Sequence, residues 1–252
     1  MFITADTLIL GNWKMHLSRQ TGVGLARQVA DATKNAGAKV QVGICPPAPY
    51  LLPVGEAIQN TNVLLGAQDC HYKAEGAYTG DVSAPMLRDA GCHFTLTGHS
   101  ERRKFHHETD AEIFEKTAAA IAGGLHAVIC VGETDAEREA GDYLQLIETQ
   151  IRKALPESGN RGNVTIAYEP VWAIGTGKTA STDDIEEVHS HIQSVLRRLC
   201  GDEMPRVLYG GSVKANNALE ILSLPMVDGV LVGGASLDAA AFAEIINAAT
   251  NA

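Results

Sequence analysis

Val164-Thr-Ile-Ala-Tyr-Glu169 runs without a break into Pro170-Val-Trp-Ala-Ile-Gly-Thr-Gly-Lys178. The first half is a short apolar strand that carries one carboxylate to its C-terminal tip. The second half begins with a stiffening proline, then has a large anchor (Trp172), an apolar tip (Ala173, Ile174) and two glycines, Gly175 and Gly177. An ordinary exposed loop would be polar at its tip. An apolar tip that folds over a carboxylate expels water and strengthens it as a base, which is how a general base under a hinged lid would be built. A carboxylate at a strand end can also simply pair with a lysine.

Seven further strand-like runs flank this one: Thr7–Asn12, Val40–Cys45, Val63–Gln68, His93–Thr97, Ala127–Glu133, Arg206–Gly210 and Gly229–Gly233. Most are continuous apolar runs, as expected for parallel strands buried on both faces. Helix-like stretches fall between them at roughly 18–35, 48–59, 83–90, 108–123, 135–154, 182–200, 215–223 and 238–249. Thr109-Asp-Ala-Glu112 reads as a capping box, Ser181-Thr-Asp-Asp184 as a cap with an acidic first turn, and Gly37 and Gly123-Gly124 as helix ends. Eightfold alternation with no Pro/Ser-rich linker predicts α/β architecture, a single closed (β/α)8 barrel spanning 1–252. The first strand lacks a GxGxxG turn, which weighs against a dinucleotide-binding open sheet.

The 252 residues carry a formal net charge of −10, which argues against nucleic acid or an acidic membrane as partner. An anionic substrate would need a local positive pocket. No apolar run reaches the ~18 residues of a membrane span, and Met1-Phe-Ile-Thr-Ala-Asp-Thr7 lacks the basic and apolar regions of a signal peptide. Cys45, Cys70, Cys92, Cys130 and Cys200 are odd in number and contain no CxxC pair, so reduced thiols in a cytoplasmic setting are expected. His106-His107 and the His189/His191 pair do not have metal-site spacing, and HExxH is absent, so neither a metal nor a cofactor is expected.

Polar or glycine-rich clusters close nearly every strand. Gly11-Asn12-Trp13-Lys14-Met15 closes the first, where Lys14 offers a point charge for a phosphate or an oxyanion and Asn12 a donor beside it; a lone lysine is more often a solvated surface residue. His99, in Thr97-Gly-His-Ser-Glu-Arg-Arg103, falls where the chain turns into a helix. Helix N–H dipoles aimed at an imidazole disfavour its cation, leaving a neutral ring able to polarise a carbonyl, although a buried structural histidine would look the same. Tyr209-Gly-Gly-Ser212 and Gly233-Gly-Ala-Ser-Leu237 end strands seven and eight, where barrels recurrently bind phosphate; a GG pair alone is usually a turn. The long connection 66–80 carries Tyr72, Ala77 and Tyr78 and reads as a subunit contact or a self-packed loop.

Together with Gly66-Ala-Gln68, Gly76–Gly80 and Cys130-Val-Gly-Glu133, these clusters resemble the triosephosphate isomerase family from the first strand to the last. The resemblance implies a TIM barrel that works by a glutamate base, a neutral histidine and loop closure. The resemblance implies a cofactor-free interconversion of dihydroxyacetone phosphate and glyceraldehyde 3-phosphate. It implies Glu169 as base, His99 as electrophile, Asn12 and Lys14 as charge stabilisers, and Ser100 and Glu101 as their support. Gly175, Ser212, Gly233 and Gly234 would hold the phosphate, and Ile174 and Leu231 would dry the base. Thr79 would reach the partner's site in a homodimer joined through loop 66–80. Departures are Asp69, where that family commonly has Asn, Cys70 after it, and His16. Another phosphosugar enzyme, an epimerase or lyase, would instead need a metal or a Schiff-base lysine at a strand end. A silent phosphate-binding barrel would need neither Glu169 nor His99.

Overall fold

The computed structural model describes residues 5–34, 36–37, 39–175 and 178–252. Its strands are β1 (Thr7–Asn12), β2 (Val40–Cys45), β3 (Val63–Ala67), β4 (Phe94–Thr97), β5 (His126–Val131), β6 (Val164–Tyr168), β7 (Arg206–Tyr209) and β8 (Gly229–Val232), and they close into a barrel in chain order. Each pairs in parallel with its neighbours, and closure is made by Leu8↔Gly229 through Gly11↔Val232 between β1 and β8. The helices are α1 (Arg19–Thr33), α2 (Leu51–Ala57), α3 (Ala84–Asp89), α4 (Ser100–Phe105), α5 (Asp110–Ala122), α6 (Asp135–Ala140), α7 (Tyr143–Ala154), α8 (Thr182–Cys200), α9 (Ala215–Leu222) and α10 (Ala239–Asn251).

Period two sorts the strand residues into two cores. Leu8, Leu10, Phe94, Leu96, Val128, Cys130, Ala167, Leu208 and Leu231 fill the barrel interior. Their neighbours Ile9, Val42, Ile129, Ile166 and Val207 face outward against the helices. Phe94 spans the interior so fully that a Cβ at Gly66 or Gly43 would lie 2.2 or 2.8 Å from its ring, so both strands need glycine there. On α8, Ile185, Val188, Ile192, Val195 and Leu196 recur at helical spacing and bury one stripe. Capping boxes at Thr109 and Ser181 start α5 and α8 as read from the sequence.

Two helix expectations are corrected. The stretch 135–154 is two helices, α6 and α7, because Gly141 adopts a left-handed conformation (φ 87°) that ends the first. The stretch 48–59 opens as a 3₁₀ turn, Ala48–Tyr50, before α2.

Two histidines are buried in this framework, and burial drives the pKa of each down to about 4. His126 bonds Thr165 Oγ1 through Nε2 at 2.8 Å, and His189 contacts the Met226 carbonyl through Nδ1 at 2.9 Å. The folded state therefore refuses protons that the unfolded chain accepts below its ordinary value of ~6.5. Stability should be intact above pH 6.5 and fall as pH drops from 6.5 toward 4, by on the order of 3 kcal/mol per histidine if fully expressed. Chemical unfolding at stepped pH should show this decline, and His189→Gln should flatten it by one proton. Equal slopes for the two proteins would exclude His189 as a source.

Candidate active site

At the C-terminal end of the barrel lies a cavity of about 610 Å³ walled by Asn12, Lys14, His99, Glu101, Glu169, Ile174, Gly175, Ser212, Leu231, Gly233 and Gly234, with Gly210 and Gly211 beside them. Residues from strand ends far apart in sequence thus meet at one point. Of the other expected residues, Ser100 touches this group through its backbone. Thr79 is exposed on the loop after β3 and does not line its own chain's cavity.

The carboxylate of Glu169 is 2 % exposed. Its backbone N–H donates to the Val131 carbonyl at 2.7 Å, which fixes the chain as it leaves β6. Two glycines make room for it. A Cβ at Gly132 would lie 1.8 Å from the Glu169 carbonyl oxygen, and one at Gly210 would lie 3.0 Å from Glu169 Cγ. Oε2 accepts the Ser100 N–H at 2.8 Å, and Oε1 lies 2.9 Å from His99 Nε2.

His99 caps the N-terminus of α4, and its Nδ1 accepts the Glu101 N–H at 3.2 Å. Gly98 before it needs its positive φ of 67° to turn the chain, and a Cβ there would meet Ile113 Cδ1 at 2.7 Å. With Nδ1 occupied as an acceptor, the ring's proton belongs on Nε2, which donates toward Glu169. Burial disfavours a charged ring, but the Glu169 carboxylate outweighs it through its charge and its hydrogen bond, and the net pull on the His99 pKa is upward. The sequence pointed to a neutral ring from the helix N–H groups alone; the direct contact with Glu169 is the added influence. Glu169 itself is held below the ordinary carboxylate value although burial would raise it, because His99, the Ser100 N–H and Lys14 favour its charge.

Lys14 leaves β1 in a left-handed conformation, φ 50°, unusual for a lysine. Three contacts hold it. Its N–H donates to Asn12 Oδ1 at 3.0 Å, its carbonyl accepts Gln68 Nε2 at 2.7 Å, and its ammonium reaches Glu101 Oε1 at 2.7 Å. Gln68 also donates to the Cys45 carbonyl at 2.9 Å, so it ties β1 to β2. No local pattern assigned it a task, since a polar residue at a strand end is ordinary.

Val171–Ala173 form a 3₁₀ turn at the base of the lid, pinned by Glu133. The Glu133 carbonyl accepts the Val171 N–H at 3.0 Å, and its Oε1 accepts Trp172 Nε1 at 2.7 Å, Tyr168 O–H at 3.0 Å and Arg138 at 3.0 Å. Ile174 and Gly175 reach the cavity wall. Thr176 and Gly177 lie outside the described residues. Across the cavity, a 3₁₀ turn begins at Gly234, bringing the N-terminal end of a helical turn to the wall, where N–H groups favour an anion.

Residues 7–249 match the family model described as triosephosphate isomerase. A triosephosphate isomerase from Rhodopirellula baltica is 49 % identical over 250 residues, spanning 97 % of this chain and 98 % of the relative. One from Chlorobium phaeobacteroides is 43 % identical over 96 % of this chain and 98 % of its own length. The crystal structure of triosephosphate isomerase from Bartonella henselae superposes with a TM-score of 0.90 at 41 % identity, covering 96 % of this chain and 98 % of that one.

Proposed function

The chain belongs to the triosephosphate isomerase family, and we propose that it is one catalytic domain, 1–252, that interconverts dihydroxyacetone phosphate and D-glyceraldehyde 3-phosphate with Glu169 as the base. The reaction is an intramolecular aldose–ketose isomerisation of glycolysis and gluconeogenesis. The observation that carries the assignment of roles is the 2.9 Å approach of Glu169 Oε1 to His99 Nε2 on a wall shared with Lys14.

A substrate seated between the two side chains faces a carboxylate on one side and an N–H donor on the other. Glu169 takes the proton from one carbon, leaving an enediolate, and returns it to the neighbouring carbon. His99 donates its Nε2 proton toward the substrate oxygens, and the Lys14 ammonium with Asn12 stabilises the charge that grows there. Parting Glu169 from His99 removes the main influence that holds the base down and the imidazole up. The carboxylate thereby becomes more basic, and the ring is left to burial, which favours its neutral form. Backbone groups of Gly175, Ser212, Gly233 and Gly234 serve the phosphate, and Ile174 and Leu231 exclude water. Turnover of glyceraldehyde 3-phosphate in a coupled assay tests the reading directly; a pure protein without it would refute the reading.

The proposal extends to a homodimer joined through loop 66–80. Met15, beside Lys14, is 93 % exposed, and Tyr78 on the loop is 39 % exposed, both large apolar groups left uncovered. Thr79 has no place in its own cavity, which fits a role in a second copy's site. Tyr78→Glu combined with Thr79→Asp should give monomers by sedimentation with a depressed kcat, because Lys14 loses the bracing loop. Fully active monomers would contradict this. Among the described residues no helix is long and apolar enough to cross a membrane. A cytoplasmic location is proposed on the five free thiols.

A further inference from the structure

β4 ends at Thr97, opposite Ile129 of β5, and the chain there turns away into α4. The end of β5 thereby loses its neighbour on one edge. On the other edge pairing runs on past the strand. The Glu169 N–H donates to the Val131 carbonyl at 2.7 Å, and the Val171 N–H to the Glu133 carbonyl at 3.0 Å. Residues 131–133 are thus a strap that holds the base by its first bond and the foot of the lid by its second. Glu133 strengthens the second hold by accepting Trp172 Nε1 at 2.7 Å. Alternation along the strand turns Cys130 and Gly132 the opposite way, toward the edge that β4 has left.

Two side chains stand in for the missing strand. Arg103 of α4 donates to the Cys130 carbonyl at 3.2 Å. Gln150 of α7, 7 % exposed, accepts the Gly132 N–H through Oε1 at 2.8 Å and donates Nε2 to the Gly132 carbonyl at 3.0 Å. Its one amide therefore satisfies both polar groups of Gly132. That residue has no side chain to stiffen it, because a Cβ there would lie 1.8 Å from the Glu169 carbonyl oxygen. The close passage of the base thus leaves a soft joint midway between the two holds of the strap. The joint also has room to give. A second cavity, of about 710 Å³, has Gly132, Gln150, Glu169, Val171 and Trp172 in its wall.

We propose that Gln150 is a positioning residue for the isomerase reaction, its two-bond clamp on Gly132 stiffening the strap that holds Glu169 and the foot of the lid. The proposal rests on the isomerase reading above. Gln150 is not among the described residues that wall the active-site cavity, so it acts through the strap alone. Without the clamp, Gly132 can turn toward the second cavity and carry the Val131 and Glu133 carbonyls with it. The base then drifts by a fraction of an ångström from the carbon-bound proton it must take. Ser212, Gly233 and Gly234, assigned to the phosphate, follow other strands and keep their places.

Gln150→Met keeps the unbranched length of the side chain and removes both hydrogen bonds. It should lower kcat by about 5- to 50-fold, short of the ~10²-fold scale of a 1 Å misplacement. KM should change less than about threefold, because the phosphate contacts are untouched. The same substitution in a Glu169→Asp background should cost less than about threefold, since a base already drawn back reaches the substrate only when the strap moves. A loss that reflected a weakened fold alone would multiply in full with that of Glu169→Asp. Such full multiplication overturns the proposal, as does a Met variant of unchanged kcat or a loss confined to KM. If the Met variant does not fold, Gln150→Glu decides. It keeps the shape and the acceptor for the Gly132 N–H but sets an oxygen against the Gly132 carbonyl, so the same loss in kcat is expected. An unchanged kcat in that variant refutes the clamp. An unaltered enzyme inactive on triose phosphates would refute the isomerase reading instead.

Discussion

Glu169→Gln should lower kcat by about 10²–10⁴-fold, the scale of removing a positioned general base. The amide has the shape of the carboxylate and can still accept the Ser100 N–H with its oxygen. Its NH₂ then meets His99 Nε2, which carries the ring proton because Nδ1 is taken by the Glu101 N–H. Donor against donor inside a nearly closed site costs on the order of 1–3 kcal/mol, so the variant should also be less stable. Binding of a phosphate-bearing competitive inhibitor should weaken little, since the phosphate is assigned to backbone groups of Gly175, Ser212, Gly233 and Gly234. Glu169→Asp separates chemistry from geometry. It keeps a base but draws it back by one methylene, and a misplacement near 1 Å is worth about 10²-fold. If the Gln variant turns over near the normal rate, the base is elsewhere.

The strands were legible because both of their faces are buried, so the apolar runs stand out against polar connections. Thr7–Asn12 and Val40–Cys45 agree residue for residue with the structure. Errors gather at C-terminal ends. Ala127–Glu133 overran β5 by two residues, because Gly132 and Glu133 look like strand yet serve as loop: Gly132 lets the Glu169 backbone pass, and Glu133 anchors Trp172. The joined helix 135–154 hid a break since the acidic and apolar periods continue on both sides of Gly141; only its left-handed backbone marks the stop.

Site residues followed the same logic. Glu169, His99 and Lys14 each stand at a strand end, and a closed parallel barrel brings all such ends to one rim, so topology alone predicts their meeting. Partnerships among them were not legible. His99 and Glu169 are 70 positions apart, and nothing local says that one oxygen would face the imidazole while the other takes the Ser100 N–H. Gln68 escaped for a related reason: its contact to the Lys14 carbonyl is fixed by where β3 passes β1.

Deleting Ile174 through Gly177 and rejoining the chain should divert the reaction rather than merely slow it. An enediolate with a phosphate on the adjacent carbon can collapse by expelling that phosphate, since the C–O bond aligned with the π system breaks to give an enol that becomes methylglyoxal. Isomerisation wins only if the intermediate stays planar, with its phosphate held in that plane, until the proton returns. Gly175 and Ile174 line the same cavity as Gly233, Leu231 and Glu169; in the proposed roles one serves the phosphate and the other keeps water from Glu169. The barrel should survive the deletion, because neither Ile174 nor Gly175 belongs to either of the two cores. Isomerisation should drop by about 10³-fold or more, the combined scale of lost desolvation and lost phosphate positioning. Inorganic phosphate and methylglyoxal should become a major fraction of product. Product analysis settles the matter: slow isomerisation with no phosphate released would mean that the lid does not guard an enediolate, and that its closure serves binding alone.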